Sequence, residues 1–233
     1  MVLTLHHLNA SRSQRILWLL EELEVPYEIK TYEREATKQA PKALKAVHPL
    51  GKSPIITDGD ITLPESGAIV EYIIKKYGEG KVATPTSGKA LADELYYTHA
   101  AEGSLMPPIV NQYIGTLVPA QTPFFIRPIV SMVFGKLNQM IYEPAIKAQV
   151  AMIDEHLSKN QWFAGGDSPT AADYMMIFPL EGLPRFGQST PNIDAYVARV
   201  QTRPAYRRGI ERGGPYPYDY QSKENKSQEH AAL

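Results

Sequence analysis

Two neighbouring stretches of sequence constrain the fold and the chemistry of this protein more than any other feature. Residues 48–56 read His-Pro-Leu-Gly-Lys-Ser-Pro-Ile-Ile, so a basic side chain stands just before a Ser-Pro bond that leads into an apolar strand. The proline fixes a turn and leaves backbone groups facing outward. Residues 63–69 read Leu-Pro-Glu-Ser-Gly-Ala-Ile, where an acidic residue and a hydroxyl open an amphipathic helix. The pattern predicts a strand and a helix that can hold a small peptide between them.

The polar residues of these stretches match the two ends of such a peptide. Lys52 can meet one carboxylate, and Glu65 can meet an amine. Ser66, together with the N-terminus of the helix that it opens, can meet a second carboxylate. One amine and two carboxylates are the charged groups of glutathione, so these residues indicate a site for a peptide of that kind.

Composition excludes several classes of protein. The chain has 233 residues, is 43% apolar and 21% charged, and has 24 basic against 25 acidic side chains, so nothing indicates a nucleic-acid partner. No run of about 18 apolar residues could span a membrane. The N-terminus lacks the basic region and long apolar core of a signal peptide, which predicts a cytoplasmic protein. The sequence has no cysteine, which excludes a disulfide, a thiolate metal site and a cysteine nucleophile, and no other metal-ligand spacing is visible.

The first third of the chain alternates between strand and helix patterns. A strand at residues 2–6 is followed by a helix that starts at Ser13 and ends at Pro26, and residues 27–32 alternate as a half-buried strand. A short helix or loop is predicted at 41–47. The two strands of a hairpin are predicted at 53–57 and 61–63, and an amphipathic helix that ends at Gly78 follows them. The resulting order, β-α-β-α-β-β-α, resembles the thioredoxin-like fold.

The rest of the chain has helical patterns. Residues 80–88 are rich in Gly, Pro, Thr and Ser and are typical of a linker. Pro107-Pro108 is predicted to kink or break a helix, and the proline-punctuated residues 119–128 are predicted to form a loop beside a pocket. We therefore expect an α/β domain followed by an all-α bundle and a mobile tail. The predicted boundaries are 1–80 for the thioredoxin-like domain, 81–88 for the linker, 89–212 for the helical domain and 213–233 for the tail.

Taken together, these motifs resemble those of the soluble glutathione transferases. Residues 11–23, Ser-Arg-Ser-Gln-Arg-Ile-Leu-Trp-Leu-Leu-Glu-Glu-Leu, look most like the fungal and bacterial members of the Gtt type, and the resemblance extends to about Gly214. It implies that the N-terminal domain binds glutathione as a co-substrate and that the helical domain holds a hydrophobic electrophile. It also implies a homodimer without a metal. The implied reaction is attack of the glutathione thiolate on the electrophile or on a peroxide.

The resemblance assigns the catalytic role to a serine near the N-terminus. In the serine-type classes, a Ser four residues before the Arg of the first helix donates a hydrogen bond to the glutathione sulfur and favours the thiolate. Here Arg15 matches that Arg, which places the match on Ser11. Asn9 and Ser13 belong to the same loop and stay as rivals of Ser11 for this contact.

The remaining matches concern the two substrates. Ser53-Pro54 matches the family's cis X-Pro step, whose backbone pairs with the cysteinyl part of glutathione like an added strand. Lys52 matches a residue that approaches the glycyl carboxylate, and Glu65 with Ser66 matches the clamp for the γ-glutamyl group. The candidates for the wall of the hydrophobic substrate pocket are Met106, Tyr113, Phe124 and Phe125.

Two further expectations follow from the sequence. Residues 170–173, Thr-Ala-Ala-Asp, read as a capping box with a structural role. An alternative function also stays open: a protein of the same fold that binds glutathione or hydrophobic ligands, or regulates a partner, without turnover. The two functions differ in whether a hydroxyl group reaches the glutathione sulfur.

Overall fold

A four-stranded mixed sheet forms the first part of the molecule. The strands are β1 (Leu3–Leu8), β2 (Tyr27–Tyr32), β3 (Ile55–Asp58) and β4 (Ile61–Pro64), and their order in the sheet is β2-β1-β3-β4. β1 is parallel to β2 and antiparallel to β3, which is antiparallel to β4. Parallel neighbours need a crossover connection, and the helix between β1 and β2 supplies it.

The helices of this part complete the predicted thioredoxin-like fold. The structure is a computed structural model and describes residues 2–35, 39–214 and 216. α1 (Gln14–Glu22) connects β1 to β2, and α2 (Ser66–Tyr77) follows β4. A 3₁₀ turn at Lys42–Ala46 takes the place of the short helix that the sequence predicts between β2 and β3. The observed order therefore confirms β-α-β-α-β-β-α.

The second part of the molecule is helical, as predicted. Two long helical runs each contain a π-helical turn: α3 (Gly88–Ala100), the turn at Ala101–Leu105 and α4 (Met106–Gln121) form the first, and α5 (Arg127–Leu137), the turn at Asn138–Tyr142 and α6 (Glu143–Leu157) form the second. The later elements are α7 (Ala171–Gly182), a 3₁₀ turn at Leu183–Phe186, α8 (Pro191–Gln201) and α9 (Pro204–Gly213).

The prolines of the second part interrupt the helices less than the sequence predicts. Pro107-Pro108 lies in the first turn of α4, directly after the π-helical turn, in which Met106 N–H bonds to Ala101 C=O. The wider turn accommodates two residues that have no N–H to donate, so the helical run continues. The predicted loop at residues 119–128 is confirmed only for residues 122–126, because Pro119 lies inside α4 and Pro128 in the first turn of α5.

The main core joins the sheet part to the helical part. Trp18 on α1 is fully buried, and its ring centroid lies 4.5 Å from that of Tyr174 on α7 and 6.1 Å from that of Tyr206 on α9. The capping box is present at the start of α7, where the Asp173 carboxylate accepts the Thr170 N–H at 2.8 Å. α1 thus serves both halves of the molecule.

In the sequence, the predicted linker and the predicted tail flank the helical part. The predicted linker at 81–88 falls in the connection between α2 and α3, and the domain boundaries stay a prediction. The predicted tail at 213–233 lies almost entirely outside the described residues. Within the described residues, no helix combines the length and the apolar character needed to cross a membrane.

Candidate active site

The five residues predicted to bind the peptide line one cleft of about 230 Å³. β3 begins just after Pro54, and α2 begins just after Glu65, so the hairpin between them brings the two stretches together. The cleft is lined by Lys52, Ser53, Pro54, Glu65 and Ser66, and also by Arg12, Leu50, Pro64 and Glu102.

The Ser53–Pro54 bond is cis, as the resemblance implies. The Ser53 hydroxyl donates to the His6 C=O at 3.0 Å and accepts the Leu8 N–H at 3.2 Å, so this side chain ties the step to β1. Among the residues that the structure describes, no hydrogen bond occupies the backbone N–H or C=O of Ser53. The step therefore offers the cleft a backbone edge that can pair with a peptide.

Glu65 has a backbone conformation that residues with a side chain rarely adopt. Its φ of 73° and ψ of 119° lie outside the regions favoured by L residues, which costs roughly 1–3 kcal/mol. This turn between β4 and α2 leaves Glu65 exposed in the cleft and places Ser66 at the first position of the helix, where backbone N–H groups have no partner inside the helix. Strain of this kind is typical of a functional site.

The loop between β1 and α1 contains the three rivals for contact with the sulfur. Ser13 is fully buried, and its hydroxyl lies 2.8 Å from His7 Nδ1 and 3.3 Å from the Leu8 C=O. Ser11 accepts the Ser13 N–H at 3.2 Å, and the two hydroxyl oxygens are 2.8 Å apart. Asn9 uses its side-chain oxygen to accept the Arg34 N–H at 3.0 Å. The three side chains are therefore adjacent, but they differ in the hydrogen bonds that the protein already makes to them.

His7 is a buried partner of this loop and does not line the cleft. Burial lowers the pKa of His7 to about 4, and the hydrogen bond to the backbone of Gly213 opposes this effect. The ring is therefore neutral at pH 7. If its second nitrogen holds the proton for Gly213, Nδ1 is an acceptor for the Ser13 hydroxyl.

Sequence reasoning missed two charged residues of the cleft, Arg12 and Glu102. Both Glu102 oxygens lie 3.0 Å from Arg12 Nε, and one lies 2.9 Å from Arg15 Nη1. Arg15 is completely buried, and burial lowers the pKa of its guanidinium to about 10, an effect that the Glu102 carboxylate opposes. Two arginines at the start of a helix face an unfavourable dipole, which is a sequence signal that they have an acidic partner. The sequence does not indicate that this partner lies 90 residues away.

A larger cavity of about 470 Å³ adjoins the cleft, and Arg12 lines both. We call it the electrophile groove, after the substrate that the family resemblance assigns to the helical domain. Met106 and Tyr113 line it as predicted candidates, and so does Asn9. The rest of its lining combines apolar and charged residues: Ile109, Val110, Phe178 and Phe186 with Ala10, Arg34, Glu35 and Arg185.

The structure does not bring Phe124 and Phe125 to this groove. They lie in the loop between α4 and α5 and are 81% and 69% exposed. α4 runs from Met106 to Gln121, and at 1.5 Å per residue this separates the loop from Met106 by roughly 22 Å. The candidate pocket wall is therefore Met106 and Tyr113 without the two phenylalanines.

The molecule thus has a thioredoxin-like domain with a strained, polar cleft, and an adjoining groove that this domain shares with the helical domain. Comparison with known proteins matches both parts. The profile of the glutathione S-transferase N-terminal domain matches residues 1–75, and that of the glutathione S-transferase C-terminal domain matches residues 106–204. Within the described residues, no cluster of three His, Cys, Asp or Glu side chains could hold a metal.

Individual relatives give the same result. Glutathione S-transferase 3 of Schizosaccharomyces pombe is 38% identical over 91% of this chain and 88% of its own length. Glutathione S-transferase 1 of Saccharomyces cerevisiae is 34% identical over 77% of this chain and 80% of its own length. A solved glutathione S-transferase of Actinobacillus pleuropneumoniae superposes with a TM-score of 0.71 and 28% identity, covering 93% of this chain and 95% of that one.

The chain belongs to the glutathione S-transferase family. Its function is glutathione transfer.

Proposed function

We propose that the cleft binds glutathione, that Ser11 stabilises its thiolate, and that the thiolate attacks an electrophile held in the electrophile groove. The observation that carries this proposal is the shared lining of one cleft by Lys52, Ser53, Pro54, Glu65 and Ser66, beside the loop of Ser11. Solved relatives from Lodderomyces elongisporus and Sulfitobacter hold glutathione, with TM-scores of 0.71 and identities of 20% and 18%. The glutathione bound to those relatives supports glutathione as the ligand, and the residues that line the cleft would contact it.

The proposed contacts follow the charges of the peptide. Lys52 pairs with the glycyl carboxylate, and the Ser53 backbone pairs with the cysteinyl part. Glu65 binds the γ-glutamyl amine, and the α2 N-terminus with Ser66 binds the adjacent carboxylate. This orientation directs the sulfur toward the start of α1 and the electrophile groove.

Ser11 is a better placed donor than Ser13. The Ser13 hydroxyl is committed to buried partners, whereas Asn9 accepts the Arg34 N–H with its oxygen and keeps its NH₂ group as a rival donor. Ser11 is 5% exposed, and its hydroxyl proton can leave the Ser13 oxygen for the sulfur by rotation about one bond. The Ser13 N–H would continue to hold the Ser11 oxygen in place.

The energy required is modest. A free thiol has a pKa of about 8.5, and a change of one in the pKa corresponds to about 1.36 kcal/mol. A hydrogen bond to a charged acceptor contributes about 1.5–3 kcal/mol, which lowers the thiol pKa by about 1–2. That change makes the thiolate a large fraction of bound glutathione at neutral pH.

The walls of the electrophile groove fit a molecule with an apolar body and a polar or anionic group. Met106 and Phe178 supply apolar surface, while Arg12, Arg34 and Arg185 supply positive charge. The Arg185 guanidinium lies 4.8 Å from the centroid of the Tyr113 ring, so Tyr113 has a fixed position in the wall.

We also propose a homodimer. Leu95, Tyr96 and Met152 are exposed apolar side chains on α3 and α6, with exposures of 51%, 44% and 38%. The Tyr96 hydroxyl lies 3.7 Å from the Met152 sulfur, so the residues form one surface across two helices. Light scattering after size-exclusion chromatography gives the mass, which we expect to be that of two chains and to fall to that of one chain in Tyr96→Glu.

The test of the proposed mechanism is the pKa of bound glutathione, measured from thiolate absorbance against pH. We expect a lowered pKa in the wild type and in Ser13→Ala, and a pKa about 1–2 higher in Ser11→Ala because one charge-assisted hydrogen bond is lost. Lys52→Ala and Glu65→Ala should weaken retention on immobilised glutathione. An unshifted pKa in the wild type would favour binding without thiol activation, and equal values in wild type and Ser11→Ala would exclude Ser11 as the donor.

A further inference from the structure

The electrophile groove carries an excess of positive charge. Among the described residues that line it, three are basic and one is acidic: Arg12, Arg34 and Arg185 against Glu35. A cleft lined mainly by one sign of charge raises the local concentration of ions of the opposite sign. The charge of the groove therefore favours an anionic ligand.

Arg12 contributes least to this attraction, because it already has a carboxylate partner. Both Glu102 oxygens lie 3.0 Å from Arg12 Nε. Arg12 also marks the end of the groove that adjoins the cleft, since it lines both. An anionic group of the ligand is therefore expected at the other two arginines, away from the reacting sulfur.

Arg34 and Arg185 come together at Tyr113 on α4. The Arg185 guanidinium, in the 3₁₀ turn after α7, lies 4.8 Å from the centroid of the Tyr113 ring. Arg34 follows β2 and donates from Nη2 to the Ala10 C=O at 3.1 Å. Burial lowers the pKa of the Arg34 guanidinium; Tyr113 opposes this effect and the charge of Arg12 adds to it. Arg34 thus lies within electrostatic reach of Tyr113, and an anion beside that residue would stabilise its charge.

Two of these side chains have donors available for a ligand. Within the part of the chain that the structure describes, Arg185 pairs with no carboxylate and the Tyr113 hydroxyl makes no hydrogen bond. A guanidinium presents its N–H groups as a planar fork that matches the two oxygens of a carboxylate. The donor set at Tyr113 therefore suits a carboxylate.

The rest of the groove determines the body of the ligand. Its apolar lining consists of Met106, Ile109, Val110, Phe178 and Phe186. The Arg12 guanidinium lies 5.9 Å from the centroid of the Phe178 ring, so this aromatic surface is at the end that adjoins the cleft. An aromatic body can pack there while a carboxylate attached to it points toward Tyr113.

We propose that the electrophile groove selects electrophiles that bear a carboxylate, and that Arg185 binds this group together with Arg34 and the Tyr113 hydroxyl. The inference rests on the proposed function of the groove. With a chloroarene as electrophile, the glutathione sulfur forms a bond to the ring carbon, the carbon–chlorine bond breaks, and chloride leaves with the bonding electron pair. The thiol proton passes to water. The carboxylate is unchanged, so Arg185 determines specificity and takes no part in making or breaking bonds.

The experiment compares 4-chloro-3,5-dinitrobenzoate with its neutral counterpart, 4-chloro-3,5-dinitrobenzamide. Both lose chloride to glutathione, so each kcat/KM is divided by the rate constant of the uncatalysed reaction with glutathione. We expect the wild type to prefer the acid about five- to tenfold after this correction, the effect of one charge-assisted pair in a partly exposed site. The preference should decrease with added salt, because salt screens exposed charges.

Three variants assign the preference to Arg185. Arg185→Met keeps an unbranched side chain without the charge, and the preference should fall to about twofold or less. Arg185→Lys keeps the charge without the fork and should retain part of the preference. Lys159→Met, the matched control, removes an exposed cation that pairs with Glu155 outside the groove, and should retain all of it. The urea midpoint of each variant checks that it is folded.

A binding measurement separates this inference from the proposed mechanism. 3,5-Dinitrobenzoate has no leaving group, and calorimetry with S-methylglutathione in the cleft measures its affinity for the groove. We expect it to bind the wild type more tightly than 3,5-dinitrobenzamide does, and to lose this advantage in Arg185→Met. A failure of the Ser11 mechanism would lower turnover of both chloroarenes and leave the acid-to-amide ratio and this binding unchanged.

Two outcomes would overturn the proposal. The first is a corrected kcat/KM for the acid that is equal to or below that for the amide in the wild type. The second is a preference that stays the same in Arg185→Met, which would mean that the guanidinium does not contact the electrophile.

Discussion

At the scale of single residues, His7 and Glu181 are buried titratable groups with opposite effects. Protonation of His7 opposes folding, whereas protonation of Glu181 favours it. Burial lowers the pKa of His7 to about 4. Burial raises the pKa of Glu181 to about 7, although hydrogen bonds from Tyr206, Tyr216 and Gln201 favour its carboxylate. Between pH 4 and 6.5 the unfolded state binds more protons at His7 than the folded state does. Between pH 4.5 and 7 the folded state binds more at Glu181.

The two residues should therefore give opposite pH dependences of stability. As the pH falls from 6.5 to 4, the His7 contribution of about 3 kcal/mol is lost; as the pH rises from 4.5 to 7, the Glu181 contribution of similar size is lost. Urea unfolding of His7→Gln should lose less stability on acidification than the wild type does. Glu181→Gln should lose less stability as the pH rises. Parallel pH profiles for the wild type and either variant would contradict the corresponding pKa change.

The residues of the cleft also differ in how far the sequence could predict them. Lys52, Pro54 and Glu65 stand next to local signals, an X-Pro step and a helix start, so the family resemblance could identify them. Glu102 was not predictable, because its role depends on a contact with Arg12 across 90 residues of sequence. The direction of the Ser11 hydroxyl depends on the hydrogen bond to Ser13, which the sequence does not encode locally.

At the scale of elements, close packing of α9 on α1 depends on Gly209. A Cβ at this position would lie 3.3 Å from the backbone nitrogen of Trp18 and 3.4 Å from the backbone carbonyl carbon of Leu17. Backbone atoms cannot move aside as the flexible end of a long residue does, so the helices must separate. We expect Gly209→Ala to lower the free energy of unfolding by about 1–3 kcal/mol, measured by urea denaturation.

The matched control for this substitution is Gly135→Ala, which also changes a helical glycine. No atom lies within 4 Å of the added Cβ, so only helix propensity changes, and a stabilisation of about 0.5–1 kcal/mol is expected. If both substitutions had the same sign, helix propensity would dominate and the close approach of α1 and α9 would not matter.

Asp173 stabilises the start of α7 through more partners than a helix cap needs. Its carboxylate accepts N–H groups from Thr170 at 2.8 Å and Phe163 at 3.0 Å, and the Tyr196 hydroxyl at 3.0 Å. Asp173→Ala leaves these buried donors unsatisfied and should lower the free energy of unfolding by about 3 kcal/mol or more. Thr170→Ala, as the comparison, should cost about 1 kcal/mol. Similar losses in thermal or urea unfolding would mean that Asp173 acts as a simple cap.

The elements themselves were more predictable than their connections. The alternation of β2 and the helical period of α1 are local patterns, and the structure confirms the strand and the helix that they predict. The loop predicted at residues 119–128 was too long at both ends, because a proline in the first turn of a helix costs little and the sequence does not mark where α5 begins. The first π-helical turn directly precedes Pro107-Pro108, which the sequence indicated as a kink or break and not as a wider turn.

At the scale of the whole molecule, charged contacts of α1 connect the two parts. Glu21 pairs with Arg208 at 2.9 Å and with Arg212 at 2.8 Å, both on α9. At the other end of α1, Glu102 pairs with Arg12 and Arg15. The apolar contacts of Trp18 lie between these ends, so the sheet part and the helical part share one interface that is polar at both edges.

The Glu102 contact should therefore control the stability of both parts together. Arg15 is fully buried, and Glu102→Ala removes the carboxylate bonded to it, which we expect to cost about 2–4 kcal/mol because Glu102 is itself partly exposed. Tryptophan fluorescence of a Trp162→Phe background follows Trp18 at the interface, and circular dichroism follows the helices. Both urea transitions should shift by the same amount, whereas Glu155→Gln, which breaks an exposed pair with Lys159, should shift neither. If the urea midpoint measured by fluorescence moves while the midpoint measured by circular dichroism does not, the two parts unfold independently and Glu102 stabilises only the interface.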